Sequence, residues 1–167
     1  MENALLGIPR FRAAFPKLST SNFEVTSPED IAYNCIAWAA EDDSRKWWPI
    51  DGSMSHYWPD GVRYSEDPEA FIEAYATIGY SRCQNGDLEP HLEKVALYGK
   101  EDLLGRMKIK HAARQQPSGR WTSKLGDFQD IAHSIPDDVG GGDYGEVVCY
   151  LSRLRQGMSD KPCKQQG

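Results

Sequence analysis

No apolar run in this sequence approaches the ~20 residues needed to span a bilayer. The N-terminus, MENALLGIPRFRAAF, also lacks a continuous hydrophobic core followed by a small-residue cleavage site. The expectation is a soluble, cytoplasmic protein without a signal peptide, or one delivered by a dedicated secretion system, and no membrane partner. Cysteine is scarce. Cys35, Cys83, Cys149 and Cys163 form no CxxC pair and none of the dense spacing of a secreted disulfide scaffold, so free thiols in a reducing compartment are expected. The four histidines are scattered without HxxxH spacing, so no metal and no cofactor are expected. Basic charge is in deficit: 19 Lys and Arg stand against 25 Asp and Glu, a net charge of −6. Binding to a phosphate backbone draws on Lys and Arg, so a nucleic-acid partner is not expected. No internal repeat is present.

The chain does carry aromatic bulk. Five Trp and eight Tyr within 40% hydrophobic composition are enough to build a core, and 167 residues suit one domain. The expected organisation is a single domain over 1–167. Residues 1–25 form an irregular lead-in with one short helical turn, and residues 156–167 a polar, flexible tail. Ser27-Pro28-Glu29-Asp30 reads as a helix start, with a cap residue, Pro at the first helical position and acids in the first turn. A second start is available at Asn34, where NCIAWAAEDD places Ile36, Ala39 and Ala40 on one helical face. The segment from Lys46 to Gly61 is full of aromatic and turn residues and reads as a long packed loop. Asp67-Pro68 opens a further helix carrying Phe71, Ile72, Tyr75 and Ile78, which Gly79 stops.

Strands are expected at 94–98, 107–115, 120–125 and 146–152, the second and third joined through Pro117-Ser118-Gly119. Alternation puts Met107, Ile109 and His111 on one face, and Trp121 with Ser123 on one face of the next strand. Residues 127–133 read as a short helix or turn. Helices first and an antiparallel sheet afterwards is an α+β arrangement.

YNCIAWAA resembles the Cys-helix motif of CHAP and NlpC-type amidases and of papain-like peptidases, in which a polar residue precedes the Cys and an aromatic follows. KIKHAARQ stands where those families place the His strand, and RWTSKLGDFQDIAH where they place the third residue. The set NCIAWA, HAAR and WTSKLG is also similar to an uncharacterised bacterial family, over roughly 28–153. The resemblance implies a papain-like fold with N-terminal helices packed on a small antiparallel sheet. It makes Cys35 the nucleophile and His111 the base, with Asp127, Asp130, His133 or Ser123 orienting the imidazole. A thiolate at a helix start would be stabilised by unpaired backbone N–H groups, and the Cys35 N–H would serve an oxyanion hole.

Asn34, Trp38, Trp48, Trp121, Ser123 and Lys124 are the expected substrate-binding residues, the aromatics as cleft walls. Arg114 and Lys124 flank the hairpin and would suit an acidic substrate group. The implied activity is a cysteine-dependent hydrolase or acyl transferase acting on an amide or thioester, with a protein or peptide-like substrate. The rival from another class is a non-enzymatic binding module, such as an immunity or adaptor protein, which predicts Cys35 buried and remote from His111. A toxin domain restrained by a partner is the third option.

Overall fold

The structure is a computed structural model that describes residues 2–28, 30, 32–50, 55–126 and 128–155. Its organising element is a seven-stranded, wholly antiparallel sheet. The lead-in supplies two short helices, α1 (Glu2–Leu6) and α2 (Pro9–Ala14), and then β1 (Phe23–Ser27). Next come α3 (Cys35–Ala39), the two-residue strands β2 (Lys46–Trp47) and β3 (His56–Tyr57), and α4 (Pro68–Ala76). The remainder is β4 (Ser81–Cys83), β5 (Leu92–Glu101), β6 (Met107–Gln115), β7 (Trp121–Lys124), β8 (Asp130–His133), a 3-10 turn at Pro136–Val139, and β9 (Glu146–Leu154).

In space the strands run β1-β8-β7-β6-β5-β9-β4, and β2 and β3 form a separate parallel pair. This overturns the papain-like expectation of N-terminal helices on a small sheet. The four helices have 5, 6, 5 and 9 residues, whereas β5, β6 and β9 alone have 10, 9 and 9. The N-terminal part is itself stitched into the sheet, because β1 pairs with β8 across the length of the chain. Residues 127–133, read as a helix or turn, contain strand β8 instead, with Asp127 outside the described residues. Ser27 ends β1 rather than opening a helix, and its hydroxyl donates to Asp130 at 2.8 Å.

The sheet separates two cores. On one face α3, α4 and the β2–β3 pair pack Ile36, Trp47, Phe71 and Tyr75 onto Val95, Leu97, Ile109 and Ala112. On the other, the lead-in packs Phe11, Phe15 and Phe23 onto Tyr98, Trp121, Leu125 and Ile131. Alternation along each strand sends side chains to the two cores in turn, with both faces of the central strands covered.

A bulge in β6 breaks that alternation. Tyr98 pairs with His111 while the next residue, Gly99, pairs with Ile109, so Lys110 is an extra residue on β6. Ile109 therefore faces the α3 side and His111 the opposite side, next to Tyr98 at 5.0 Å between ring centroids. The expected common face of Ile109 and His111 does not exist. Strict period-two counting cannot register an inserted residue.

Candidate functional site

Asn34 caps α3. Its Oδ1 accepts from the Ala37 N–H at 3.0 Å and from the Trp47 N–H at 3.1 Å, and its Nδ2 donates to the Trp47 carbonyl at 2.7 Å. These bonds start the helix and tie it to β2. Cys35 follows at the first helical position, half-buried on the α3 side of the sheet. Burial pushes its thiol up to about 11, against the smaller opposing pull of the Ala112 and Ile36 backbone and of the Lys124 charge. A thiol so placed is protonated at neutral pH, and the protonated form is the weak nucleophile.

Asp130 and Lys124 meet on this same side. They are paired across β8 and β7, both almost fully buried, with Nζ 3.8 Å from Oδ1. The other carboxylate oxygen of Asp130 accepts from Ser27 at 2.8 Å and Tyr33 at 3.1 Å, and the Lys124 ammonium lies 5.0 Å from the Tyr33 ring centroid. Lys124 Nζ and Asp130 Oδ1 make no hydrogen bond among the described residues.

His111, Ser123 and His133 lie on the opposite face as a buried chain. His111 Nε2 is 3.0 Å from Ser123 Oγ, which is 2.8 Å from His133 Nε2, and His133 Nδ1 is 2.9 Å from the Ile135 carbonyl. The carbonyl can only accept, so it assigns the protons down the line. His133 carries its proton on Nδ1, Ser123 donates to His133 Nε2, and His111 donates from Nε2 to Ser123. Both imidazoles are then neutral. Burial lowers the His111 value well below the ordinary imidazole range, His133 adding to it, and burial brings His133 down to about 4. His111 Nδ1 is left buried with no hydrogen-bond partner, its ring stacked flat on Tyr144 at 3.9 Å.

The sheet thus divides the sequence-derived catalytic set. Cys35 and Asp130 are on one face, and His111, Ser123 and His133 are on the other with a buried Trp121, which is 2% exposed. Cys35 and His111 are therefore not brought together as a pair. Trp48 packs edge-on to Phe71 at 5.5 Å, in the core beside α4. Among the described residues no three His, Cys, Asp or Glu converge as metal ligands, and no helix is long and apolar enough to cross a membrane.

One site open to a ligand lies on the α3 side, where that helix ends and the sheet continues towards β1. It is a groove of about 410 Å³. Trp38 forms one wall, β6 and β7 supply Arg114 and Thr122, and Arg120 and Glu24 stand at the far side. Thr122 organises it: its Oγ1 accepts from the Trp38 indole N–H and the Gln116 amide, both at 3.2 Å, and donates to the Arg114 carbonyl at 3.3 Å. The Arg114 guanidinium lies over the Trp38 ring at 4.6 Å and donates from Nη1 to the Trp38 carbonyl at 3.2 Å. Arg120 donates from Nη2 to the Ala132 carbonyl at 3.4 Å and sits 3.9 Å from the Glu24 carboxylate, while its buried Nε has no acceptor.

Of the expected substrate-binding residues, Trp38 lines this groove. Lys124 lies farther along the same face of β7, and Asn34, Trp48, Trp121 and Ser123 serve packing, capping or the histidine chain. Sequence reasoning missed Thr122, Arg120 and Glu24. Alternation in RWTSK carried the signal, since Arg120, Thr122 and Lys124 must oppose Trp121 and Ser123. No curated protein and no solved structure matches this chain. A family model does match residues 24–152, which hold most or all of each strand of the large sheet and both faces of the groove. The chain belongs to that family, described as Domain of unknown function (DUF7689).

Proposed function

We propose that this chain is a non-enzymatic binding module, of the kind an immunity or adaptor protein uses, and that the groove beside Trp38 is its ligand surface. The observation that carries the reading is the separation of the would-be catalytic pair by the sheet, with Cys35 on one face and His111 in a closed, neutral chain on the other. General-base catalysis needs the base within hydrogen-bond reach of the proton it takes, and a sheet between the two groups forbids that. The groove, by contrast, has what a recognition site needs: a size within the usual ligand-site range of roughly 300–1,000 Å³, an aromatic wall, and donors fixed by other side chains.

A cysteine-dependent hydrolase or acyl transferase is the second reading. Cys35 at a helix start on the Lys124 side favours it, and it would have to proceed without His111. Limiting iodoacetamide at neutral pH, read peptide by peptide by mass spectrometry, separates the two. The binding module predicts modification of Cys83 ahead of Cys35. Preferential modification of Cys35, lost in Lys124→Met, would sink it in favour of the enzyme.

A further inference from the structure

We propose that the groove takes an acidic segment of a partner protein, which lies against Trp38 and places a carboxylate between Arg114 and Arg120. The inference rests on the binding-module reading and names the chemistry of its partner.

Strand register sets the two arginines on one face of the sheet, and both line the groove. Arg114 on β6 is paired with Thr122 on β7. Arg120 lies two residues before Thr122 and so occupies the diagonal position on the same face, roughly 7–8 Å away between backbones. A carboxylate lying in the groove can be met by Arg114 from the Trp38 wall and by Arg120 from the far side.

Each arginine has donors to spare. Arg114 uses one Nη on the Trp38 carbonyl, and stacking on the indole holds its plane in place. Arg120 is held by a single carbonyl, and its buried Nε lacks an acceptor. A guanidinium offers five N–H donors in a fixed fork that matches a carboxylate. The charge balance in the groove is two guanidinium groups against one carboxylate, Glu24, in a chain whose net charge is −6. A patch of the minority sign on an acidic protein selects an acidic partner.

Glu24 indicates the chemistry that the site accepts. Its carboxylate is already drawn to 3.9 Å from Arg120, yet its side chain stays 61% exposed, so the contact is loose and a better-placed carboxylate can displace it. Trp38 supplies the apolar complement. Its indole N–H is committed to Thr122, so the ring presents a fixed wall for the stem of a glutamate or a neighbouring apolar side chain.

The test uses the whole chain and a fluorescein-labelled octapeptide of alternating glutamate and threonine, with its lysine–threonine counterpart as control, followed by fluorescence polarisation. The acidic peptide should bind, more weakly as salt rises, and the basic one should not. Arg114→Gln and Arg120→Gln should each weaken binding by about tenfold, the scale of a lost charge-assisted hydrogen bond. Glu24→Gln, which removes the internal competitor, should strengthen it. Failure of the acidic peptide to bind at millimolar concentration, equal binding of the basic peptide, or weaker binding by Glu24→Gln would each overturn the inference. Amide exchange gives a second readout in the unaltered protein. Protection on adding the peptide should centre on β7 and β8, and protection confined to other strands would overturn it. The iodoacetamide experiment reports on the binding-module reading separately, so the two can fail independently.

Discussion

Acidification should destabilise this protein through the His111–Ser123–His133 chain. In the folded state both imidazoles are neutral and their proton affinities are lowered, His133 to about 4. In the unfolded chain each returns to about 6.5. Between those values the unfolded state binds more protons than the folded one, so stability is fully present above about pH 6.5 and falls as pH drops through that value. The decline levels off only below the folded-state value, near 4 for His133. Near pH 5 His133 forfeits about 2 kcal/mol, and His111 acts in the same direction. A loss of about 2 kcal/mol is already a sizeable part of a typical total of roughly 5–15 kcal/mol.

The hydrogen-bond chain explains why neither ring can be protonated cheaply. An added proton on either histidine forces an N–H onto His111 Nδ1, or two donors against Ser123 Oγ, and His111 Nδ1 has no acceptor to meet it. Asp138 raises the His133 affinity only in part, and Arg120 opposes it. Thermal melts from pH 8 to pH 5 should show the midpoint dropping by roughly 4–8 °C in a chain of this size. Replacing the chain by His111→Phe, Ser123→Ala and His133→Phe together should flatten that dependence. An imidazole NMR titration in which His111 or His133 protonates near pH 6.5 in the folded protein would refute the reasoning. So would a triple variant that folds and keeps the full acid sensitivity.

Two further substitutions probe the packing that positions the site. Trp121→Ala removes a 2%-exposed aromatic from the core under the lead-in and should cost about 3–5 kcal/mol in chemical denaturation; an unchanged midpoint would mean that its facing is wrong. Lys124→Met strands the Asp130 carboxylate in the interior and should also cost about 3–5 kcal/mol. An unchanged midpoint would argue against the pair.

Local chemistry was legible in the sequence wherever it acts over a few residues. Asn34 caps the helix carrying Cys35, Asp67 with Pro68 opens α4, and the strands at β5, β6, β7 and β9 follow from short runs of β-forming residues. The facing of Trp121 and Ser123 also follows from alternation, since β7 contains no bulge in its pairing with β8. What tertiary structure decided is which of these elements share a face. Ser27-Pro28-Glu29-Asp30 has every local mark of a helix start, yet Ser27 is drawn into β1 by pairing with Asp130, 103 residues away. DIAH, residues 130–133, has no strong preference of its own and becomes β8 because β1 and β7 offer it two sets of backbone partners. The single inserted residue at Lys110 turns His111 away from Cys35, and nothing in KIKHAAR announces it. Side-chain facing depends on the parity of every residue between two points, so one bulge set by distant pairing reassigns a site that local pattern alone would build.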